Sequence, residues 1–205
     1  DQVLSFNKSK LSGKLILESL RLGGDLHMSN ATITQVNLRA ARIDDGIWMN
    51  DSEFKEIDLT SAKVGGDLVL SNSRLLQQLI MENVRVGNTL SLRGLQVKQG
   101  SLPIQIVFAE VASSLFIEDG MLGSLDLSGT KIRGVFFLGW EDHTSLKWHS
   151  DSKLTLRNTE VGAIQDLANI WPDKLELTGF TYAHLGGIDT AGTDDPANRE
   201  TNWYQ

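Results

Sequence analysis

Residues 31–75, ATITQVNLRAARIDDGIWMNDSEFKEIDLTSAKVGGDLVLSNSRL, decide the fold, because inward-type residues recur there in pairs with one residue between them. The pairs follow at intervals of five residues, occasionally six, in one unbroken series: Ala31/Ile33, Val36/Leu38, Ala41/Ile43, Ile47/Met49, Ser52/Phe54, Ile57/Leu59, Ala62/Val64, Leu68/Leu70 and Ser73/Leu75. An amphipathic helix would place apolar residues at i, i+3, i+4 and i+7, and a simple strand would alternate without a skip. The spacing instead predicts a square coil with two inward side chains on each of four short sides.

A longer period gives the size of one coil. Leu22, Ile43, Val64 and Val86 are 21, 21 and 22 residues apart, so one coil takes about 21 residues. The residue beyond four fives falls at one corner, which is rich in glycine and aspartate: Gly23-Gly24-Asp25, Asp44-Asp45-Gly46, Gly65-Gly66-Asp67 and Gly87-Asn88. These residue types tolerate the positive φ of tight turns. We therefore interpret the glycines as a requirement of backbone shape and not as a phosphate-binding loop.

The small-x-large units Ala31-Thr32-Ile33, Ala41-Arg42-Ile43 and Ala62-Lys63-Val64 resemble the pentapeptide-repeat superfamily, and the resemblance extends from about Leu4 to Tyr182. It implies an all-β fold, a right-handed parallel β-helix (solenoid) with four short sides per coil, interrupted by loop insertions and followed by an irregular C-terminal tail. The end of the chain is similar, more narrowly, to uncharacterised bacterial proteins labelled membrane-associated oxidoreductases. That similarity lies in four motifs: Trp171-Pro172, Leu175-x-Leu177, Gly179-Phe180-x-Tyr182-x-x-Leu185 and Arg199-x-x-x-Trp203.

Redox chemistry has no support in the residues themselves. The sequence lacks the glycine fingerprint of a dinucleotide-binding fold and has no flavin or haem ligands in a recognisable context. It has no cysteine, which excludes thiolate catalysis and Cys-based metal sites. His143 and His149, with Glu141 and Asp142, are the only cluster with metal-ligand chemistry, and their spacing favours a solvated loop. We therefore predict a protein that is not an enzyme, with no catalytic residues, no cofactor and no metal.

The organisation of the chain follows from where the pairs stop. We predict a solenoid over residues 1–185, with insertions at 98–103, 139–153 and 165–174, and a polar tail at 186–205. The series begins at Leu4 and Phe6 without a polar cap, so we expect a fragment or an end covered by a second copy. No apolar run approaches the roughly 18 to 20 residues of a membrane span. The expected location is the cytoplasm.

The register also predicts which outward side chains stack, about 4.8 Å apart, on successive coils. One set is unexpectedly apolar, and we interpret this apolar stripe as an interaction surface: His27, Trp48, Val69, Ser91, Phe116 and Phe136. Coverage by an insertion or by the tail is the alternative. A second set is a basic ladder: Arg21, Arg42, Lys63, Arg85, Glu110 and Lys131. Neutralisation by the corner residues Asp25, Asp44, Asp45 and Asp67 is the favoured interpretation of the ladder, and an anionic partner is the alternative.

Three functions remain as hypotheses. The favoured one is a non-enzymatic scaffold or protein-interaction module, with a protein partner or self-association, for example as a homodimer. The family resemblance suggests a second, because pentapeptide-repeat proteins that protect DNA gyrase present an acidic rod that mimics DNA, and the net charge here is −7. The basic ladder argues against such a mimic, and the net charge argues against direct nucleic-acid binding. The third is the redox enzyme of the oxidoreductase label.

Overall fold

The computed structural model describes residues 2–140, 145–167 and 169–186, which form short β-strands and no helix. In chain order the strands are β1 (Leu4–Ser5), β2 (Lys10–Ile16), β3 (Arg21–Leu22), β4 (Leu26–His27), β5 (Thr32–Asn37), β6 (Arg42–Ile43), β7 (Ile47–Trp48), β8 (Glu53–Asp58), β9 (Lys63–Val64), β10 (Leu68–Val69), β11 (Arg74–Ile80), β12 (Arg85–Val86), β13 (Leu90–Ser91), β14 (Gln96–Val97), β15 (Ile104–Gln105), β16 (Glu110–Val111), β17 (Leu115–Phe116), β18 (Met121–Leu122), β19 (Leu125–Asp126), β20 (Lys131–Phe137), β21 (Lys147–Trp148), β22 (Lys153–Thr155), β23 (Glu160–Gln165), β24 (Lys174–Glu176) and β25 (Thr181–Leu185).

These strands build an all-β parallel solenoid of about eight coils of about 21 residues, as the repeat period predicts. Each strand pairs in parallel with the equivalent strand one coil later; Leu26, for example, aligns with Ile47, and Ile47 with Leu68. The described strands fall into two sheets. One contains β1, β4, β7, β10, β13 and β17 on side 1 and β3, β6, β9, β12 and β16 on side 4, joined through β20. The other contains the strands of sides 2 and 3, beginning with β2, β5, β8 and β11, each of which contributes to both sides. In β5, for example, Thr32 is the outward residue of side 2 and Asn37 that of side 3.

The core is a column of inward side chains. In the coil that begins at Leu26, the four inward pairs are Leu26/Met28, Ala31/Ile33, Val36/Leu38 and Ala41/Ile43, and none of these residues is more than 2% exposed. The same pattern continues from coil to coil as one apolar cluster. Burial of apolar surface contributes about 25 cal/mol per Å². Because a coil packs against the coils before and after it, the whole column depends on the register of each pair.

Hydroxyl groups occupy some inward positions, where they form hydrogen bonds with backbone carbonyls. Ser52 and Thr159 are buried, yet Ser52 Oγ donates to the carbonyl of Met28 at 2.8 Å and Thr159 Oγ1 donates to that of Leu127 at 2.7 Å. A buried polar group is tolerated when it finds such a partner. Serine at the first inward position of a pair is therefore compatible with a core that is otherwise apolar.

The glycine-rich corner has a different physical cause from the one predicted. Positive φ values occur at two of the other three corners, for example at Asn30 (φ 55) and Ala40 (φ 54), and not at the glycines between side 4 and side 1. A Cβ on Gly65 would lie 2.0 Å from the carbonyl oxygen of Asp44 in the preceding coil. Glycine is needed at this corner because successive coils come into backbone contact there.

The insertions differ in how far they leave the solenoid. Residues 98–103 connect β14 to β15 and contain no strand. The predicted insertion 139–153 is too long, because Lys147 aligns with Met121, and Leu146 is buried. The solenoid thus resumes at about residue 146 with an inward pair, Leu146 and Trp148, in which tryptophan takes the place of the usual aliphatic residue.

The segment 165–174 forms no helix among its described residues. It packs back on the rod, since Ile170 is only 4% exposed and its carbonyl accepts a hydrogen bond from Trp148 Nε1 at 2.8 Å. Residues 141–144 and the predicted tail from residue 187 onward lie outside the described residues.

Candidate binding surfaces

The apolar stripe runs along side 1. The strand register aligns its members in the order His27, Trp48, Val69, Ser91, Phe116 and Phe137, and all of them are half-buried. The prediction of Phe136 was wrong, because Phe136 aligns with Leu115 and is 0% exposed. Phe136 and Leu138 form the inward pair of that coil, so the residue between them, Phe137, is the outward one. From here on the apolar stripe includes Phe137 in place of Phe136.

The C-terminal half of the apolar stripe is a closed aromatic stack. The rings of Phe116 and Phe137 lie 4.5 Å apart with 8° between their planes, so their faces point along the rod and only their edges point outward. The guanidinium of Arg93 lies 5.2 Å from the Phe116 ring, and the indole of Trp140 meets Phe137 edge-on at 6.3 Å. Trp140 comes from the insertion after β20. This half of the stripe is therefore partly covered by the protein's own side chains, in agreement with the alternative interpretation.

The N-terminal half of the stripe centres on Trp48. Its indole stacks on His27, with ring centroids 6.4 Å apart, and its Nε1 donates to Asp25 Oδ1 at 3.1 Å. The amide of Gly46 donates to the same oxygen at 2.8 Å. These hydrogen bonds, from Gly46 first and then from Trp48, hold the pKa of Asp25 below its ordinary value. Trp48 is thus a large aromatic residue held in a fixed orientation, with the half-buried Val69 beside it on the next coil.

An ion pair between Arg93 and the buried Glu118 lies next to the aromatic stack, because Arg93 also contacts the Phe116 ring. Glu118 is 1% exposed, and its Oε1 accepts hydrogen bonds from Nε of Arg93, at 2.8 Å, and from the terminal Nη2 of the same side chain. The other oxygen, Oε2, is buried without a hydrogen-bond partner. The Arg93 side chain is 40% exposed, so water reaches the guanidinium while the carboxylate of Glu118 is buried. The outward periodicity did not indicate this pair because both residues lie near a corner.

The basic ladder on side 4 has two unlike halves. The register places Arg21, Arg42, Lys63, Arg85, Glu110, Lys131 and Glu160 in one row of exposed residues. In the C-terminal half charges alternate: Arg85 approaches Glu110 at 3.6 Å and Lys131 approaches Glu160 at 3.0 Å. Within the described part of the chain, the three N-terminal cations form no ion pair.

Among the described residues, the expected neutralisation by corner carboxylates is not seen as ion pairing at Arg21, Arg42 or Lys63. Hydrogen bonds to the following corner explain this for two of the four predicted carboxylates, Asp25 and Asp67. Asp25 accepts hydrogen bonds from Gly46 and Trp48 on the following coil, and Asp67 accepts from Asn88 Nδ2 at 2.7 Å and from the Thr89 amide at 3.0 Å. These corner acids therefore bind the next corner along the rod instead of turning toward side 4.

Two acidic residues on side 3, Asp58 and Glu176, are paired with cations. Asp58 Oδ2 forms an ion pair with Arg39 Nη1 at 2.9 Å. Burial of Asp58 opposes its ionisation, but hydrogen bonds from Thr60 and Arg39 outweigh this effect and lower the pKa of Asp58. Hydrogen bonds from Lys153 and then Arg157 likewise lower the pKa of Glu176. A row of free carboxylates is therefore not presented at these positions.

A shallow polar cleft with a volume of about 170 Å³ is lined by three segments of the later coils, residues 98–101, 123–124 and 149–152. His149 bridges it, and because the carbonyl of Val97 can only accept, His149 Nε2 is the donor of their 2.7 Å hydrogen bond. The carboxylate of Asp151 is engaged by Lys174 at 2.7 Å, which lowers the pKa of Asp151. No described cluster of three His, Asp or Glu side chains is arranged to hold a metal ion. The predicted loop residues Glu141, Asp142 and His143 lie outside the described residues.

Within the described ranges no helix has the length and hydropathy that a membrane span needs. The fold defines this chain as a parallel β-solenoid repeat protein. Comparisons with protein-family models, with curated proteins and with solved structures gave no match.

Proposed function

We propose that this chain is a non-enzymatic interaction scaffold of the pentapeptide-repeat type, and that a second copy of the chain binds the N-terminal half of its apolar stripe. The filled core supports a scaffold, since the inward pairs are buried side chains that leave the recognition chemistry to the outside of the rod. Enzymes need titratable groups that converge on a pocket. The polar cleft offers one histidine, whose Nε2 is engaged by a carbonyl, and one carboxylate already bound to lysine.

The single observation that carries the proposal is the arrangement of Trp48 and Val69. They are aligned neighbours on one flat side, both are half-buried, and the tryptophan is held in place by Asp25. Tryptophan is enriched among the residues that dominate binding energy at interfaces, and a preorganised side chain loses little entropy on binding. Homodimers are by far the commonest oligomers of soluble proteins, which favours a second copy as the partner.

A DNA-mimicking regulator is the alternative function, and the net charge of −7 has the sign that it requires. A mimic also needs free negative charges along its length. The pairing of Asp58 and Glu176 with cations supports the interaction scaffold instead, and so do the three cations on side 4 that form no ion pair with any described residue.

The test is the mass of the chain in solution, measured by light scattering over a concentration series. Val69→Asp places a charge in the middle of the proposed interface, and Thr32→Asp is the control because it adds the same charge to an exposed position on side 2. We expect a dimer for the parent and for Thr32→Asp, and a monomer for Val69→Asp that keeps the circular dichroism spectrum of the folded parent. A parent that stays monomeric at every concentration, or a Val69→Asp variant that dimerises as well as the parent, would refute the proposal.

A further inference from the structure

The two halves of the basic ladder differ in how charges of the same sign are arranged on neighbouring strands. Residues directly opposite each other on neighbouring strands interact, and like charges there are destabilising. In the C-terminal half the row alternates in sign, so that Arg85 meets Glu110 and Lys131 meets Glu160. In the N-terminal half Arg21, Arg42 and Lys63 follow one another in register on β3, β6 and β9. The alternation shows that this fold can place opposite charges next to each other in the row. The first three coils place three cations next to one another instead.

The surroundings of these three cations leave them accessible. The residues two positions before them, Ser19, Ala40 and Ser61, are small and exposed. Two positions after them stand Gly23, Asp44 and Gly65, so five of the six flanking residues carry no large side chain. The three cations therefore stand above their surroundings as a ridge about 10 Å long, with steps of about 4.8 Å between neighbouring coils.

We propose that Arg21, Arg42 and Lys63 bind a carboxylate-rich segment of a partner protein. This inference rests on the proposed scaffold function and names a partner class for a second side of the rod. Extended peptides place alternate side chains on one face about 6.6 Å apart. The long, flexible stems of arginine and lysine can adjust to that spacing over two coil steps, and the guanidinium groups of Arg21 and Arg42 can each hold a carboxylate with two hydrogen bonds.

Nucleic acid fits this ridge less well than an acidic peptide. Proteins that bind single strands combine a basic groove with aromatic platforms for the bases, and the residues that flank the ridge are small or acidic. Duplex binding requires a broad basic footprint. Here the row changes sign at Glu110, and the chain as a whole carries a net charge of −7. Three cations suit a short anionic segment.

The experiment measures fluorescence anisotropy of labelled hexaglutamate at ionic strengths of about 0.01 M and 0.15 M, where the Debye length is about 30 Å and 8 Å. The test variant is Arg21→Gln/Arg42→Gln/Lys63→Gln. The control variant, Arg74→Gln/Arg85→Gln/Lys131→Gln, removes the same charge from cations that are already paired with Glu53, Glu110 and Glu160. A labelled hexaglutamine peptide and a dodecathymidine strand are run beside hexaglutamate.

We expect the parent to bind hexaglutamate at low ionic strength and to lose affinity as salt is added. The test variant should bind at least about tenfold more weakly, since three exposed ion pairs together account for a change of that size. The control variant should stay within about threefold of the parent, and Asp44→Asn should bind more tightly because it removes a carboxylate beside the ridge.

Three results would overturn the inference: no binding of hexaglutamate at low ionic strength, equal losses in the test and control variants, or tighter binding of the oligonucleotide than of the peptide. Failure of the scaffold proposal is separate, because it would appear as a monomeric parent in light scattering. A monomer that still binds hexaglutamate through the ridge would refute self-association and leave this inference standing.

Discussion

Removal of the Arg93 side chain should destabilise the rod far more than removal of an ordinary surface cation. In Arg93→Ala the carboxylate of Glu118, 1% exposed, loses both hydrogen bonds to its Oε1, while Oε2 already has no partner. Breaking a buried ion pair by deleting one member costs about 3–5 kcal/mol. Because Arg93 is 40% exposed and water can reach the vacated space, we expect a loss of about 2–4 kcal/mol in the free energy of unfolding.

The chain contains a matched control for this experiment. Arg85 and Glu110, like Arg93 and Glu118, join two successive coils, but their side chains are 60% and 51% exposed. Exposed pairs contribute about 0–1 kcal/mol, so Arg85→Ala should have a small effect. Both variants are compared with the parent by urea unfolding followed by circular dichroism.

A double-mutant cycle isolates the pair itself. Glu118→Gln keeps the shape of the buried side chain and removes its charge, so Arg93→Ala should cost less in that background than in the parent. Equal and small effects of Arg93→Ala and Arg85→Ala would refute the reasoning, and so would a cost of Arg93→Ala that Glu118→Gln leaves unchanged, since the loss would then come from the contact of Arg93 with the Phe116 ring.

Two further predictions concern the corner between side 4 and side 1. Gly65→Ala places a methyl group 2.0 Å from the Asp44 carbonyl and should cost about 1–3 kcal/mol in unfolding experiments. Gly13→Ala, where nothing lies within 4 Å, should be close to neutral, and equal effects would contradict the contact explanation. Because hydrogen bonds from Gly46 and Trp48 hold the pKa of Asp25 below its ordinary value of 3.8, the stability that its carboxylate contributes is present above that pH and disappears as the pH falls through the lowered pKa. The difference in melting temperature between the parent and Asp25→Asn should therefore be largest near neutral pH and shrink below about pH 4, and a difference that stays constant would contradict this account.

The repeat period was enough to predict the fold because the two apolar residues of each pair identify which side chains point inward. Within the unbroken series, residues such as Ile33 and Leu38 are buried as the five-residue spacing requires, and the register of His27, Trp48 and Val69 follows from counting coils. The prediction of Phe136 placed the outward residue 20 residues after Phe116, whereas this coil has the usual 21 residues and brings Phe137 into register. Phe136 and Phe137 have the same side chain, so hydrophobicity did not distinguish the inward one from the outward one. The 21-residue step from Phe116 and the inward partner Leu138 both identify Phe137 as the outward residue.

Interactions between corners could not be predicted in the same way. The reason for glycine at position 65 is a contact with the backbone of the preceding coil, which composition does not reveal. Glu118 lies 25 residues after Arg93, a longer step than the usual coil because the insertion at 98–103 intervenes. Applying the coil register to corner positions as well as to the middle of each side would have brought the two together.

The regular stacking of coils has a consequence for distances on the surface. From Trp48 to Phe137 the register advances by four coils, which corresponds to about 19 Å along the axis. Two features on the same side of the rod are therefore separated by a whole number of coils, that is, by a multiple of about 4.8 Å. Gain or loss of one coil would thus change the spacing between two binding patches on one side by about 4.8 Å. Each inward pair would still pack between the equivalent pairs of the coils before and after it.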